Sequence, residues 1–277
     1  KHLAATRDFD GTVIVIFQPA EEGGAGGKAM VEDGLMTRWG IQEVYGMHNM
    51  PGIAPGHIAL RPGPIMAAAD EFTIEIEGKG AHAAAPHLGI DPIFIGSQIV
   101  GALQSIASRN ADPLKSVVVS TTMFHAGTAF NIIPPRATLT GTVRTLEAGM
   151  RDLAEKRLRT IVDSTAKMYG AEARITYNRG YPSTDNHPAQ TKLAGEIARN
   201  TFGDAAVNDE VAPMMGGEDF SYMLEQVPGA FINIGNGGGE GGCEVHNPGY
   251  DFNDEALTLG STLWARVVEK RLAKDAR

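Results

Sequence analysis

Cysteine is nearly absent: Cys243 is the single one in 277 residues, which excludes an internal disulfide and any cysteine-rich zinc knuckle. Basic clusters are missing too. The formal net charge is −9, and no grouping of Lys and Arg offsets it, which argues against nucleic acid as a partner because phosphate binding needs a basic face. No apolar run approaches the roughly 20 residues of a membrane span, and no charged-then-apolar leader precedes a small-residue cleavage site. No membrane partner is expected, and a cytoplasmic location follows as the default. The sequence has no Gly-x-Ser-x-Gly elbow, no Walker loop and no His-Glu-x-x-His, the compact signatures of acyl transfer, nucleotide binding and one-helix zinc sites. Its glycine run Gly23-Gly24-Ala25-Gly26-Gly27 lacks the Gly-x-Gly-x-x-Gly order. Cys243 has His246 three residues on but no orienting third group, so a thiol nucleophile is not expected.

What remains is an ordinary globular composition, 43% apolar and 21% charged, on a chain long for one core and comfortable for two. The run Thr12–Phe17 is β-branched and aromatic throughout, the pattern of a strand buried on both faces of a parallel sheet. A glycine-rich turn follows from Ala20, then a short helix through Met30 and Val31. A second strand from Glu43 to Met47 runs into His48-Asn49, and Ile58 to Leu60 reads as another. From Asp70 the pattern becomes strict alternation, Phe72, Ile74 and Ile76 against Glu71, Thr73, Glu75 and Glu77, the mark of a strand with one wet face. A helix near Asp91–Ser108, strands near Ser116–Phe124 and Ala137–Thr145, a helix near Glu147–Tyr169 and a strand near Glu172–Tyr177 complete a β-α-β-β-α-β order, that of a ferredoxin-like sandwich. After Tyr181 the first pattern resumes: helices His187–Phe202 and Gly217–Gln226, a buried strand Ala230–Ile234, and a closing helix from about Asp254 to Lys274. Asn253 or Asp254 suits its N-cap, and its basic last turns suit the macrodipole. The expected fold class is α/β, one domain formed by residues 1–69 and 179–277 and interrupted by an inserted α+β domain of residues 70–178.

Three polar clusters fall at or beyond the C-terminal ends of expected strands or before the last helix, where open α/β sheets place their sites. Glu21-Glu22 is the first. Neighbours on a regular strand point to opposite faces, so the pair belongs in the irregular glycine-rich segment beyond it. Two adjacent carboxylates there read either as a solvated acidic turn or as a metal ligand beside a free base that can take a proton from metal-bound water. His48-Asn49 and His246-Asn247-Pro248 are the other two, and each histidine taken singly reads as readily as structural. A carboxylate with two imidazoles suits zinc, manganese or cobalt better than calcium or magnesium.

Taken together, Phe17-Gln18-Pro19-Ala20-Glu21-Glu22, Gly46-Met47-His48-Asn49, Gly78 to His87 (Gly-Lys-Gly-Ala-His-Ala-Ala-Ala-Pro-His), Asn131-Ile132-Ile133-Pro134, Gly141-Thr142-Val143-Arg144-Thr145, Gly217-Glu218-Asp219-Phe220 and His246 to Phe252 resemble, in order and over nearly the whole chain, the M20 metallopeptidases, in the branch of aminoacylases, hippurate hydrolases and auxin-conjugate hydrolases. The resemblance implies a zinc-peptidase-like catalytic domain with an inserted lid and dimerisation domain, and hydrolysis of the amide bond of N-acyl amino acids by a homodimer holding two divalent metal ions. N-acetyl-diaminopimelate or peptide hydrolysis is the alternative within the class, and an inactive fragment or binding protein retaining the fold is the alternative outside it. Position by position, Glu21 matches the general base, Glu22, His48 and His246 match metal ligands, and His82 matches a histidine that reaches across the dimer to the oxyanion. Asn131 and Arg144 match positions near the substrate, the arginine suited to clamp a carboxylate. Glu218 and Asp219 read also as first-turn helix acids. The family's Cys-Gly-His-Asp ligand segment has no match here. The sequence opens on Lys1 and is expected to start within a larger gene product, with three of five protein ligands present and metal bound poorly or not at all by the chain as written.

Overall fold

The computed structural model describes residues 1–238 and 243–274. It is a mixed α/β chain that divides into two units. One comprises residues 1–65, 184–214 and 219 onward, the other residues 66–183 with 215–218.

The first unit is built on a four-stranded sheet. Strand Val44–Pro51 runs parallel to Gly229–Gly237, which is antiparallel to Ile58–Ala59, itself parallel to Val207–Asn208. The 229–237 strand is buried along nearly its whole length, as its central place and its run Ala-Phe-Ile-Asn-Ile require. Helices Pro188–Phe202 and Glu255–Arg271 supply Ala194, Ile197, Ala198, Leu259, Leu263 and Val267 to the core around Ile232 and Ile234. Pro188 opens the first of these at a position where its missing N–H costs nothing. The second has Asp254 at its N-cap, and Asn253 just before it accepts from the Glu255 amide on its Oδ1 at 3.0 Å.

The sheet differs from the expectation at one edge. Residues 12–17 form no strand, and Val15 and Phe17 are 71% and 87% exposed. An apolar run becomes a strand only when a neighbour accepts its ladder. Among the described residues Val44–Pro51 is an edge strand whose one strand neighbour is Gly229–Gly237. The expected helix over 217–226 is likewise reduced to Ser221–Leu224. Part of the glycine-rich tract 235–242 lies outside the described residues.

The second unit carries an antiparallel sheet in the spatial order Val117–Ala126, Arg136–Thr145, Ala68–Glu77, Glu172–Arg179. With helices Pro92–Leu103 and Ala148–Met168 between them, the chain order β-α-β-β-α-β and sheet order 2-3-1-4 are those of a ferredoxin-like sandwich. The alternation from Phe72 to Glu77 is realised literally: Phe72, Ile74 and Ile76 are at most 1% exposed, with their glutamate neighbours on the wet face. They pack on Ile95, Ile99, Leu103, Leu158 and Val162 from the helices. Asp91 caps the first helix by accepting from the amides of Ile93 and Phe94 at 2.9 and 3.3 Å.

Candidate metal and catalytic site

The glycine-rich segment after Pro19 is a tight irregular loop. Ala20 and Ala25 adopt left-handed backbone, φ 50° and 49°, and between them Glu22 and Gly23 leave helical geometry. A left-handed alanine costs on the order of 1 kcal/mol, so two of them persist only where the surroundings over-determine the loop. Gly26 shows how tightly it closes, since a Cβ there would stand 1.8 Å from the Pro19 carbonyl oxygen. This backbone separates the adjacent carboxylates. Glu22 is turned outward, 76% exposed, and its Oε1 lies 3.6 Å from Nδ1 of His246, which is 224 positions away in sequence. Glu21 instead is partly buried, and its carboxylate stands within 4.8 Å of that of Asp219.

Asp219 is fully buried. Its Oδ2 accepts from the Gly27 amide at 2.6 Å, and its Oδ1 accepts from the Gln18 side-chain amide. Burial pushes its carboxyl above the usual carboxylate range, and the Gly27 and Gln18 hydrogen bonds oppose the rise. Its chain neighbour Glu218 is also buried. Reading both as first-turn helix acids does not hold, because the helix begins only at Ser221.

His48 sits half-buried on the strand Val44–Pro51, in register with Asn233. Its Nδ1 lies 2.5 Å from the Asn49 carbonyl oxygen. A carbonyl only accepts, so Nδ1 is the donor here and Nε2 is the ring atom left for a metal. The His246 loop is tied to the same strand. The Asn49 side-chain amide donates to the Tyr250 hydroxyl. Asn236 takes the Asn253 amide at 2.9 Å on its Oδ1 and donates from Nδ2 to the Asp251 carbonyl at 3.1 Å. His246 is itself left-handed, φ 66°, uncommon for a side chain that is not glycine. Tyr250 and Asn236 were not among the expected site residues, and Asn49 stood in a candidate cluster without a role of its own. The repeated His-Asn pairs at 48–49 and 246–247 were the available signal, but only the first asparagine makes the link.

The second unit holds the other expected positions. His82 and Asn131 meet in a short two-stranded ribbon where Ala81–His82 pairs with Ile132–Ile133, and the Ala83 amide donates to the Asn131 carbonyl at 3.0 Å. Nδ1 of His82 accepts from the Ala84 amide at 3.0 Å, which assigns the proton to Nε2 and makes that atom a donor. Arg144 lies on the strand Arg136–Thr145, and its Nη1 donates to the Asp70 carbonyl at 3.4 Å and to the Thr142 hydroxyl.

A divalent metal fits part of this arrangement. Zinc–oxygen and zinc–nitrogen bonds of about 2.0–2.2 Å at tetrahedral angles put two ligand atoms about 3.4 Å apart, close to the 3.6 Å between Glu22 and His246. Among the described residues His48 does not join them in one ligand set. Cys243 is exposed.

The model of peptidase family M20/M25/M40 matches residues 1–270, and the chain belongs to that family. It is 40% identical over 260 residues to the N-acetylcysteine deacetylase of Bacillus subtilis (strain 168), covering 94% of this chain and 66% of the relative. It is 39% identical over 272 residues to the hippurate hydrolase of Campylobacter jejuni, covering 98% and 70%. Among solved structures, the Bacillus subtilis YXEP protein, described as a dinuclear metal binding peptidase from the M20 family, matches with TM-score 0.80 at 34% identity, over 98% of this chain and 68% of that one. The chain thus spans about two thirds of the length of these relatives.

Proposed function

We propose that this protein hydrolyses the amide bond of N-acyl amino acids, using two divalent metal ions of the zinc, manganese or cobalt class. The observation that carries this reading is the loop at Glu21-Glu22. It sends Glu22 to His246 at 3.6 Å and keeps its neighbour Glu21 apart, a division between ligand and base that a solvated acidic turn does not require. The names of the relatives, a deacetylase of N-acetylcysteine and a hippurate hydrolase, support the substrate class.

Glu22, His48 and His246 would hold metal. When bound, divalent ions supply the acidification of a water and the polarisation of the scissile carbonyl. The Glu21 carboxylate accepts the proton of the attacking water as the new carbon–oxygen bond forms, then delivers it to the amide nitrogen as the carbon–nitrogen bond breaks. His82, with its proton on Nε2, donates to the oxyanion, reaching it from a partner copy in a homodimer formed through the second unit, the lid domain. Asn131 and Arg144 lie near the substrate, the guanidinium on the amino acid's carboxylate.

The test is release of free amine from N-benzoylglycine and from a panel of N-acetyl amino acids, before and after chelation and with zinc, manganese or cobalt restored. Glu21→Gln is expected to lower kcat by about 10²–10⁴-fold at unchanged metal content, and His246→Ala to lower metal content. Turnover indifferent to chelation, or kept by Glu21→Gln, would sink the proposal.

A further inference from the structure

The loop bearing Glu21 and Glu22 has no side-chain cap of its own at either end. The helix that follows it, Gly26–Glu32, begins on Ala25, whose side chain offers no acceptor. Asp219 supplies what is missing from 192 positions away. One carboxylate oxygen holds the Gly27 amide, just past the loop's exit, and the other holds the Gln18 side chain, just before its entrance. The carboxylate thus staples both ends of the eight-residue excursion from Pro19 to Gly26. Its fit is close. A Cβ at Gly27 would stand 2.9 Å from the Asp219 carbonyl oxygen and 3.0 Å from its Cγ and Oδ1, so glycine is the residue that lets the carboxylate reach the amide.

We propose that Asp219 is a positioning residue for Glu21 and Glu22, holding their strained loop closed by these two hydrogen bonds; this rests on the reading of Glu21 as base and Glu22 as ligand. The left-handed alanines at 20 and 25 are conformations the free segment would leave. The two acceptor oxygens tie down its ends and set where the Glu21 carboxylate sits.

Three variants of the full-length protein separate this role from plain stability. Asp219→Ala removes both acceptors. Asp219→Asn keeps the staple, because the asparagine Oδ1 can accept from Gly27 while its amide donates to Gln18 Oε1 once that side chain turns over. Gly27→Ala leaves Asp219 in place but pushes it off, in a helix where alanine is otherwise favoured over glycine. Displacing a catalytic group by about 1 Å costs about 100-fold. Asp219→Ala and Gly27→Ala are therefore expected to lose about 100-fold in kcat per folded molecule with KM within about threefold, and Asp219→Asn to stay within about threefold of the parent. In parallel, digestion with a glutamate-specific protease reads the loop without any chemistry: cleavage after Glu21 and Glu22 is expected to speed up in the first two variants and not in the third. Retained kcat in Gly27→Ala, a loss in Asp219→Ala matched by its loss of folded protein, or equal damage from Asp219→Asn would overturn the assignment. Should Asp219→Ala fail to fold, Gly27→Ala decides. A parent protein with no metal-dependent hydrolysis would defeat the functional reading instead, and the protease result would still report on the staple.

Discussion

Asp70 is a deeply committed carboxylate of the second unit, and removing its cation should be felt throughout that unit. Its side chain is 1% exposed and that of Arg151 12%. Arg151 donates from Nη2 at 2.5 Å and from Nε at 3.0–3.1 Å, and its Nη2 also reaches the Gly180 carbonyl at 2.8 Å. The Tyr177 hydroxyl at 2.8 Å and the Gly180 amide at 3.1 Å complete the shell. Burial, and then the negative charge of Asp70, push the Tyr177 phenol well above its usual range, which leaves it a hydrogen donor at any ordinary pH. Arg151→Met would strand a carboxylate with two neutral donors in a site closed to water. Breaking a buried pair from one side costs about 3–5 kcal/mol, a large share of the 5–15 kcal/mol that holds a typical domain together. At a urea slope of about 1.5 kcal/mol/M this lowers the midpoint by about 2–3 M. Replacing both partners, Asp70→Leu with Arg151→Met, should recover part of the loss, because no charge is then left buried. The assay must look at the right unit. Both tryptophans, Trp39 and Trp264, belong to the first, so fluorescence is blind here, and hydrogen exchange of the Ala68–Glu77 and Arg136–Thr145 amides is the suitable probe. A loss below about 1 kcal/mol in Arg151→Met, the scale of an exposed pair, would refute the argument.

Glu43 gives a pH prediction for the first unit. It accepts from Arg271 at 2.6 and 2.7 Å and from Gln190 and Tyr45 at 3.0 Å, and the Arg271 hydrogen bond holds its carboxyl below the ordinary 4.5. A depressed carboxylate stabilises above its unfolded value and loses that contribution as pH falls through the folded one. Glu43→Gln should therefore be less stable than the parent at neutral pH, the gap closing below about pH 4.5. Trp264 fluorescence, on the same helix as Arg271, reads the urea midpoints, and a gap independent of pH would contradict the prediction. Gly141→Ala tests the second core from the opposite direction. The added Cβ would meet the Ser120 carbonyl at 2.2 Å and the Phe72 ring at 2.3 Å, so a loss of about 1–3 kcal/mol or more is expected, read by calorimetry, and a neutral variant would mean the sheet yields where it looks rigid.

Local pattern carried most of the fold. The alternation at Phe72, Ile74 and Ile76 and the helical stretches from Asp91 and from His187 were readable because they concern residues a few positions apart, and each corresponds to an element in place. Thr12–Phe17 was misread for the same reason. Its composition is that of a buried strand, but strand formation is settled by a partner far away in sequence, and composition holds no information on whether one pairs with it. The helix expected from Gly217 failed through competition. Asp219, for which a first-turn helix acid was one reading, has its side chain committed to Gly27 and Gln18, and the helix starts after it.

The candidate site was legible as residue types and not as pairings. Adjacent carboxylates call for separation, since two like charges side by side repel and lose hydration together. What the sequence does not say is how the chain separates them. The separation is made by backbone: alanine in left-handed conformation before and after, Gly23 at φ 86° between, so that one carboxylate faces His246 and the other Asp219. Local preferences oppose such a path, which is why reading windows of residues left a solvated turn and a ligand beside a base both open. The path is fixed by groups about 200 positions away, the Asp219 carboxylate at its ends and the His246 loop tied through Asn49 and Tyr250. A site of this kind is written into the sequence as pairs of residues that act only after the fold has joined them. Gly27, which looks least chemical on first reading, and Asn49, which the sequence marks without a role, are positions that make the joining possible.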